Sequence, residues 1–190
     1  METFRFTDSK MNQIASTWKK IANENNYKFK NILCTSTAMI DPINNEIKRF
    51  ELHIPTRQSS SIIISTSEKQ PLRLSFNFKK HLDFEFQVYP EDIFEKISKF
   101  IGAKEVEIGI KEFDNKYILK SDNEKLMKHL LDRDSIDFLL SNLTTNFSLR
   151  KDGFSIFSLV TSIHEEDKEE MLSLIGFAKG IVEKIYNWKN

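Results

Sequence analysis

The chain has 190 residues, a length that fits one domain with a sizeable hydrophobic core. Basic and acidic residues number 28 each, so no global field draws this chain to nucleic acid or to an anionic membrane. A single cysteine, Cys34, excludes an internal disulfide and a cysteine-built zinc site.

The N-terminus predicts no export. Residues 1–8 carry neither the basic start nor the apolar stretch of a signal peptide. No run approaches the ~20 apolar residues that span a bilayer. We therefore expect a cytoplasmic protein with no integral membrane segment.

The first quarter of the chain predicts a helix and then strands. Thr7 or Asp8 can cap a helix that runs to residue 23, because its apolar residues fall on one stripe: Met11, Ile14, Ala15, Trp18, Ile21 and Ala22. Residues 24–48 give no clear pattern beyond a short apolar patch. Strict alternation over 49–54 and an isoleucine run at 62–64 predict two strands.

Residues 72–102 predict a hairpin followed by a helix. Two alternating runs, 72–78 and 82–88, are joined by Lys79-Lys80-His81, which favours direct antiparallel pairing with one face in water. Pro90 suits the first turn of the next helix, whose apolar stripe runs over 93–101. Gly102 is placed to end that helix.

Residues 104–143 predict a core of strands and helices. Alternation predicts a strand over 105–110, a turn at 113–115 and a strand over 117–120. Ser121 to Glu124 reads as a capping box before a helix with Leu126, Met127, Leu130 and Leu131 on one face. Asp134 or Ser135 can cap a further short helix.

The C-terminal part predicts a hairpin over 145–161, turning at Asp152-Gly153, and a helix over 165–187. Ser162 to Glu165 reads as its capping box. Together these elements predict an α+β fold, a mainly antiparallel β-sheet with helices packed on one face, in a single domain over 1–190.

The C-terminal half resembles a group of uncharacterised bacterial proteins. The shared pattern is Lys-x-x-Gly ending a helix, an acidic strand ending in Ile-Gly, a Phe-Asp-x-x-Phe/Tyr-x-Ile/Val run and a Leu-Leu helix. In this chain these are Lys99 to Gly102, Glu105 to Gly109, Phe113 to Ile118, and Leu130-Leu131. The resemblance covers about residues 84–160. Members of that group often carry membrane-spanning segments ahead of this region, and the resemblance implies a domain of unknown function.

Two residues are candidates for catalysis, Asp114 and His53. The neighbours of Asp114 can hold its carboxylate rigidly, but an aspartate between two strands more often accepts backbone N–H groups in a turn. No second carboxylate is identifiable as an acid/base partner, and the five glycines form no phosphate-binding loop.

His164 and Glu165 are the candidates for a metal site, as members of the only local His and acid cluster. Acidic residues at a helix start are also what the helix dipole favours, and we predict no cofactor and no metal. Gly176 and Gly180 form a small-xxx-small pattern, which in a water-soluble helix favours close approach to a sheet.

These patterns favour a non-enzymatic interaction module that holds a protein partner or a second copy of itself and does not bind nucleic acid. The alternative is a small-ligand-binding protein or hydrolase whose site is assembled from dispersed residues, Asp114 and His53 among them. A third hypothesis, prompted by the resemblance, is work at a membrane surface.

Overall fold

Nine strands form one antiparallel sheet in the computed structural model, which describes residues 8–35, 46–57, 60–91, 104–152 and 154–188. The strand order across the sheet is β1-β2-β3-β4-β9-β8-β5-β7-β6. The strands are β1 (Lys28–Thr35), β2 (Glu46–Pro55), β3 (Ser61–Ser67), β4 (Gln70–Asn77), β5 (Phe86–Pro90), β6 (Lys104–Glu105), β7 (Tyr117–Ser121), β8 (Asn146–Asp152) and β9 (Phe154–Thr161).

Five described helices complete the fold and confirm the α+β class. They are α1 (Asp8–Asn25), α2 (Lys111–Asp114), α3 (Glu124–Leu130), α4 (Arg133–Ser141) and α5 (Lys168–Asn187). The apolar stripes of α1 and α5 are buried, except for the half-buried Ala15, and form one continuous core with one face of the strands. That burial is the main stabilising term, because apolar surface leaves water on folding. The long helices α1 and α5 form as their stripes predict.

The predicted hairpin over 72–88 is wrong. β4 pairs with β3 and β9, and β5 pairs with β7 and β8, so the β8–β9 hairpin separates them. Alternation fixes which residues face the core but does not choose the neighbouring strand. The hairpin predicted over 145–161 is confirmed by the β8–β9 register, with Gly153 outside the described residues.

The segment between β4 and β5 crosses the end of that hairpin without being a strand. Leu82 and Phe84 are buried there, as predicted, but their backbone is irregular. Ser155 of β9 holds the crossing: its carbonyl accepts the Phe78 N–H at 2.9 Å, and its hydroxyl accepts the Leu82 N–H at 2.9 Å.

The strand predicted over 105–110 is also wrong beyond Glu105. Val106, Ile108 and Ile110 pack against the core from an irregular segment. This segment is held by the carboxylate of Asp114, and the predicted turn at 113–115 is mostly the one-turn helix α2.

The helix starts differ from the predicted caps. The caps are Asn123, Asp132 and Asp167, each with a side-chain oxygen that accepts a first-turn N–H. Polar residues cluster before each helix, so sequence alone leaves several cap positions open. The C-terminal helix therefore begins at Lys168 rather than at 165. Pro90 ends β5, and the helix predicted after it, over 93–101, lies outside the described residues.

Candidate functional site: a groove between two helices

A groove of about 410 Å³ lies between α4 and α5. Its volume is within the range of pockets that hold small ligands or the anchor side chains of a partner. Its lining combines an aromatic pair, small residues of α5 and a charged end.

The aromatic pair consists of Phe138 of α4 and Phe177 of α5. Their rings stack with centroids 4.3 Å apart and planes 13° apart. Phe177 also meets Phe147 of β8 edge to face, at 5.6 Å between centroids. Aromatic contacts thus run from the sheet to the groove, and such pairs stabilise by about 1 kcal/mol beyond area burial.

The open wall of the groove is a stripe of small residues on α5, namely Ser173, Gly176 and Gly180. The helix buries another face, carrying Leu174, Ala178 and Ile181, against the core. A Cβ added at either glycine would meet no atom of the described residues within 4 Å. The expectation that these glycines let the helix approach the sheet is therefore wrong.

The charged end of the groove is organised by Lys184. Its ammonium contacts Asp132 Oδ2 at 2.6 Å and donates to the Leu130 carbonyl at 3.1 Å and the Ser135 hydroxyl at 3.3 Å. This one cation therefore joins the end of α3, the cap of α4 and the second half of α5.

Asp132 is the cap of α4 and the partner of that cation. Its Oδ1 accepts the N–H of Ser135 at 3.1 Å and the hydroxyl of Ser135 at 2.7 Å. Burial opposes ionisation of this carboxyl, but the hydrogen bonds from Lys184 and Ser135 outweigh it and hold its pKa below the ordinary value.

Asp134 stands at the same end of the groove and is exposed. Across the described ranges its carboxylate has no ion pair or hydrogen bond. The groove therefore presents one unneutralised negative charge beside an internally paired lysine. Sequence analysis singled out neither Lys184 nor Phe138, because their importance arises only when α4 packs beside α5.

The two candidate catalytic residues are not brought together. His53 lies on β2, where its Nε2 is 2.8 Å from Glu51 Oε2. Asp114 lies in α2, and its two oxygens accept the N–H groups of Ile108 and Gly109 at 3.0 and 2.9 Å. β2 and the neighbouring strand of α2, β7, are six positions apart in the sheet, roughly 29 Å at the usual strand spacing. The bonds of Asp114 fit the turn-forming alternative.

The two candidate metal ligands, His164 and Glu165, lie in different environments. The exposed imidazole of His164 contacts Glu170, Nδ1 to Oε1, at 2.8 Å, and this hydrogen bond raises its pKa. Glu165 is buried instead, and its backbone carbonyl accepts the Trp18 indole N–H at 3.0 Å. Within the described ranges, no three His, Cys, Asp or Glu side chains are grouped so that they could hold a metal ion.

The comparison with known proteins finds a solved structure of similar fold. No protein-family model and no curated protein matches the sequence. The fold is similar to that of the crystal structure of the mycobacterial trehalose monomycolate transport factor A, with a TM-score of 0.58 and 8% sequence identity over 90% of this chain and 94% of that chain. No helix in the described ranges is long and apolar enough to cross a membrane.

Proposed function

We propose that this protein is a non-enzymatic interaction module and that the α4–α5 groove binds a helix of a protein partner. One observation carries the proposal: Gly176 and Gly180 lie inside a 20-residue helix, yet none of the described residues packs against them. Glycine in a helix interior costs about 0.8–1.0 kcal/mol relative to alanine.

No contact with the described part of the chain compensates this cost. Neither glycine has the positive φ that makes glycine necessary, and an added Cβ would enter open space at both positions. A close approach from outside the chain would account for the glycines, because two helices pack most closely where the side chains between them are small.

A helix suits the shape of the groove. Ser173, Gly176 and Gly180 span eight residues of α5, or about 10 Å along its axis, which is two helical turns. Phe138 flanks the stripe and offers apolar surface to an amphipathic partner. Helix-in-groove recognition uses this combination of an apolar track with polar ends.

The comparisons bear on this proposal only through the fold. Trehalose monomycolate transport is the role of the mycobacterial protein, as its name states, and 8% identity transfers no ligand to this chain. The resemblance to uncharacterised bacterial proteins implies a domain of unknown function and favours no particular ligand. The groove adds a specific place where binding would occur.

The test is a display selection of helical peptides on the folded protein. A double variant, Gly176→Leu with Gly180→Leu, fills the groove with side chains that favour a helix. We expect selected peptides to bind this variant at least about tenfold more weakly than the natural chain, as loss of a central contact usually costs more than 1 kcal/mol.

Ser16→Leu is the matched control, because it adds a leucine at an exposed position of α1 outside the groove. Peptide binding should survive that change. Peptides that bind the natural chain, the groove variant and the control equally well would contradict the proposal, as would a selection that enriches nothing. Circular dichroism of both variants checks that the fold is intact.

A further inference from the structure

We infer that the helix bound in the α4–α5 groove carries a lysine or arginine that pairs with Asp134. The inference rests on the proposed function and names the chemistry of the partner. Its basis is a comparison of the three charged groups at this end of the groove, two of which are already paired within the fold.

Lys184 has no donor left for a ligand. An ammonium has three N–H groups, and here three acceptors surround it: the Leu130 carbonyl, Asp132 and the Ser135 hydroxyl. An incoming carboxylate would have to displace one of these internal contacts. An acidic partner is therefore disfavoured at this end.

Asp132 is also occupied. One of its oxygens accepts two bonds from Ser135 and the other faces Lys184. Asp134, by contrast, is exposed, and in the part of the chain that the structure describes its carboxylate has no partner. The Asp134 carboxylate is therefore the group at this end of the groove that can still accept a hydrogen bond and an ion pair from a partner. A lysine or arginine complements its negative charge.

A second copy of this chain fits less well. In a parallel pairing of two α5 helices across the groove, Asp134 would meet Asp134 of the other copy. In an antiparallel pairing it would approach the start of the other α5, where Glu169 is exposed. Both arrangements bring like charges together, which disfavours association.

The experiment uses peptides selected on the natural chain and lost on the Gly176→Leu, Gly180→Leu variant. Each lysine or arginine in such a peptide is replaced by glutamine, and both forms are titrated against the natural chain and against Asp134→Asn. Glu169→Gln is the matched control, since it removes one exposed acidic charge at the opposite end of α5.

We expect one basic residue of the peptide to strengthen binding about threefold to tenfold in low salt, the range of partly exposed ion pairs. Asp134→Asn should abolish most of that preference, Glu169→Gln should keep it, and high salt should reduce it.

Three results would overturn the inference: peptides without a charge preference, a preference that Asp134→Asn leaves unchanged, or selected peptides rich in acidic residues. Self-association of the natural chain that the double leucine variant abolishes would identify a second copy as the occupant and would also overturn it. Failure to obtain any groove-dependent peptide would instead contradict the proposed function, and this inference with it.

Discussion

Glu165 is the residue whose environment departs most from that of an ordinary surface acid. It is 4% exposed, and no hydrogen bond reaches its Oε2. Its backbone carbonyl holds Trp18, which fixes this part of the chain against α1. Burial raises the pKa of Glu165 to about 7. Among the described residues, no metal site accompanies Glu165. We therefore interpret its raised pKa as a consequence of burying the carboxyl group where the chain packs against α1.

The consequence is a pH-dependent free energy of unfolding. A carboxyl with a raised folded-state pKa keeps its proton in the folded protein and loses it near 4.5 when unfolded. Stability from this group is therefore full below pH 4.5 and falls as the pH rises to about 7. The integrated loss is at most on the order of 3 kcal/mol.

Glu165→Gln should remove this contribution, since the amide stays neutral at all these pH values. Urea unfolding at pH 5 and pH 8 should show a smaller stability loss for the variant than for the natural chain. His164→Gln measures a separate contribution, because the raised pKa of His164 also makes the protein lose stability as the pH rises. An unchanged pH slope in Glu165→Gln would contradict the assignment.

At the scale of elements, α5 carries both a buried stripe and the groove wall. Gly176→Ala and Gly180→Ala should each raise the free energy of unfolding by about 0.5–1 kcal/mol, because both positions are helical and open. Chemical unfolding measures the change. Destabilisation at either position would show an internal packing role and would remove the main support for the groove proposal.

Gly109 provides the contrasting control. Its φ is +86°, a conformation that side chains disfavour, and its N–H donates to Asp114. Gly109→Ala should therefore destabilise by about 1–2 kcal/mol although an added Cβ would also meet nothing there. The free energy of unfolding should therefore rise for the alanine variants of Gly176 and Gly180 and fall for that of Gly109. This contrast distinguishes the effect of helix propensity from that of backbone strain.

The sequence predicts the type of most elements and the faces of their residues, because hydrophobic periodicity is a local signal. The stripes of α1 and α5 and the alternation in β2, β4 and β7 illustrate this. β5 is an exception, because Gln87, predicted to face water, is buried. Strand order is not local, so the pattern could not show that β9 lies beside β4. The segment after Glu105 alternates and is still irregular. The Val106 N–H donates to the Leu119 carbonyl of β7, but the carboxylate of Asp114 accepts the next N–H groups, those of Ile108 and Gly109.

The groove was only partly visible in the sequence. Gly176 and Gly180 stand out at their spacing, and helical periodicity places them opposite the apolar stripe of α5. The sequence does not show which other element lies beside that face. Lys184 and Asp132 are 52 positions apart, and their contact depends on how α4 and α5 pack. A site assembled from separate helices leaves no contiguous motif.

At the scale of the whole molecule, the topology depends on the segment that carries the chain from β4 to β5. Two strands, β9 and β8, lie between β4 and β5 in the sheet. The segment therefore covers a distance of roughly 14 Å across the sheet, at the usual strand spacing. Ser155 is fully buried beneath it and supplies both a carbonyl and a hydroxyl to it. These bonds replace the ladder that a direct hairpin would have provided.

Ser155→Ala should therefore destabilise the protein more than an ordinary serine substitution in the sheet. The variant leaves the N–H of Leu82 buried without its acceptor, and an unsatisfied buried donor costs about 1–3 kcal/mol. Ser158→Ala is the matched control on the same strand: its half-buried hydroxyl contacts only the Ser148 hydroxyl, at 3.2 Å, so we expect a loss below about 1 kcal/mol.

Urea unfolding gives the two free energies, and hydrogen exchange at the Leu82 amide locates the effect. Exchange at Leu82 should accelerate in Ser155→Ala and stay slow in Ser158→Ala, since only the first variant removes its acceptor. Equal destabilisation with unchanged Leu82 exchange would mean that the crossing is held by the burial of Leu82 and Phe84 alone. The hydroxyl of Ser155 would then have no part in keeping β4 and β5 apart.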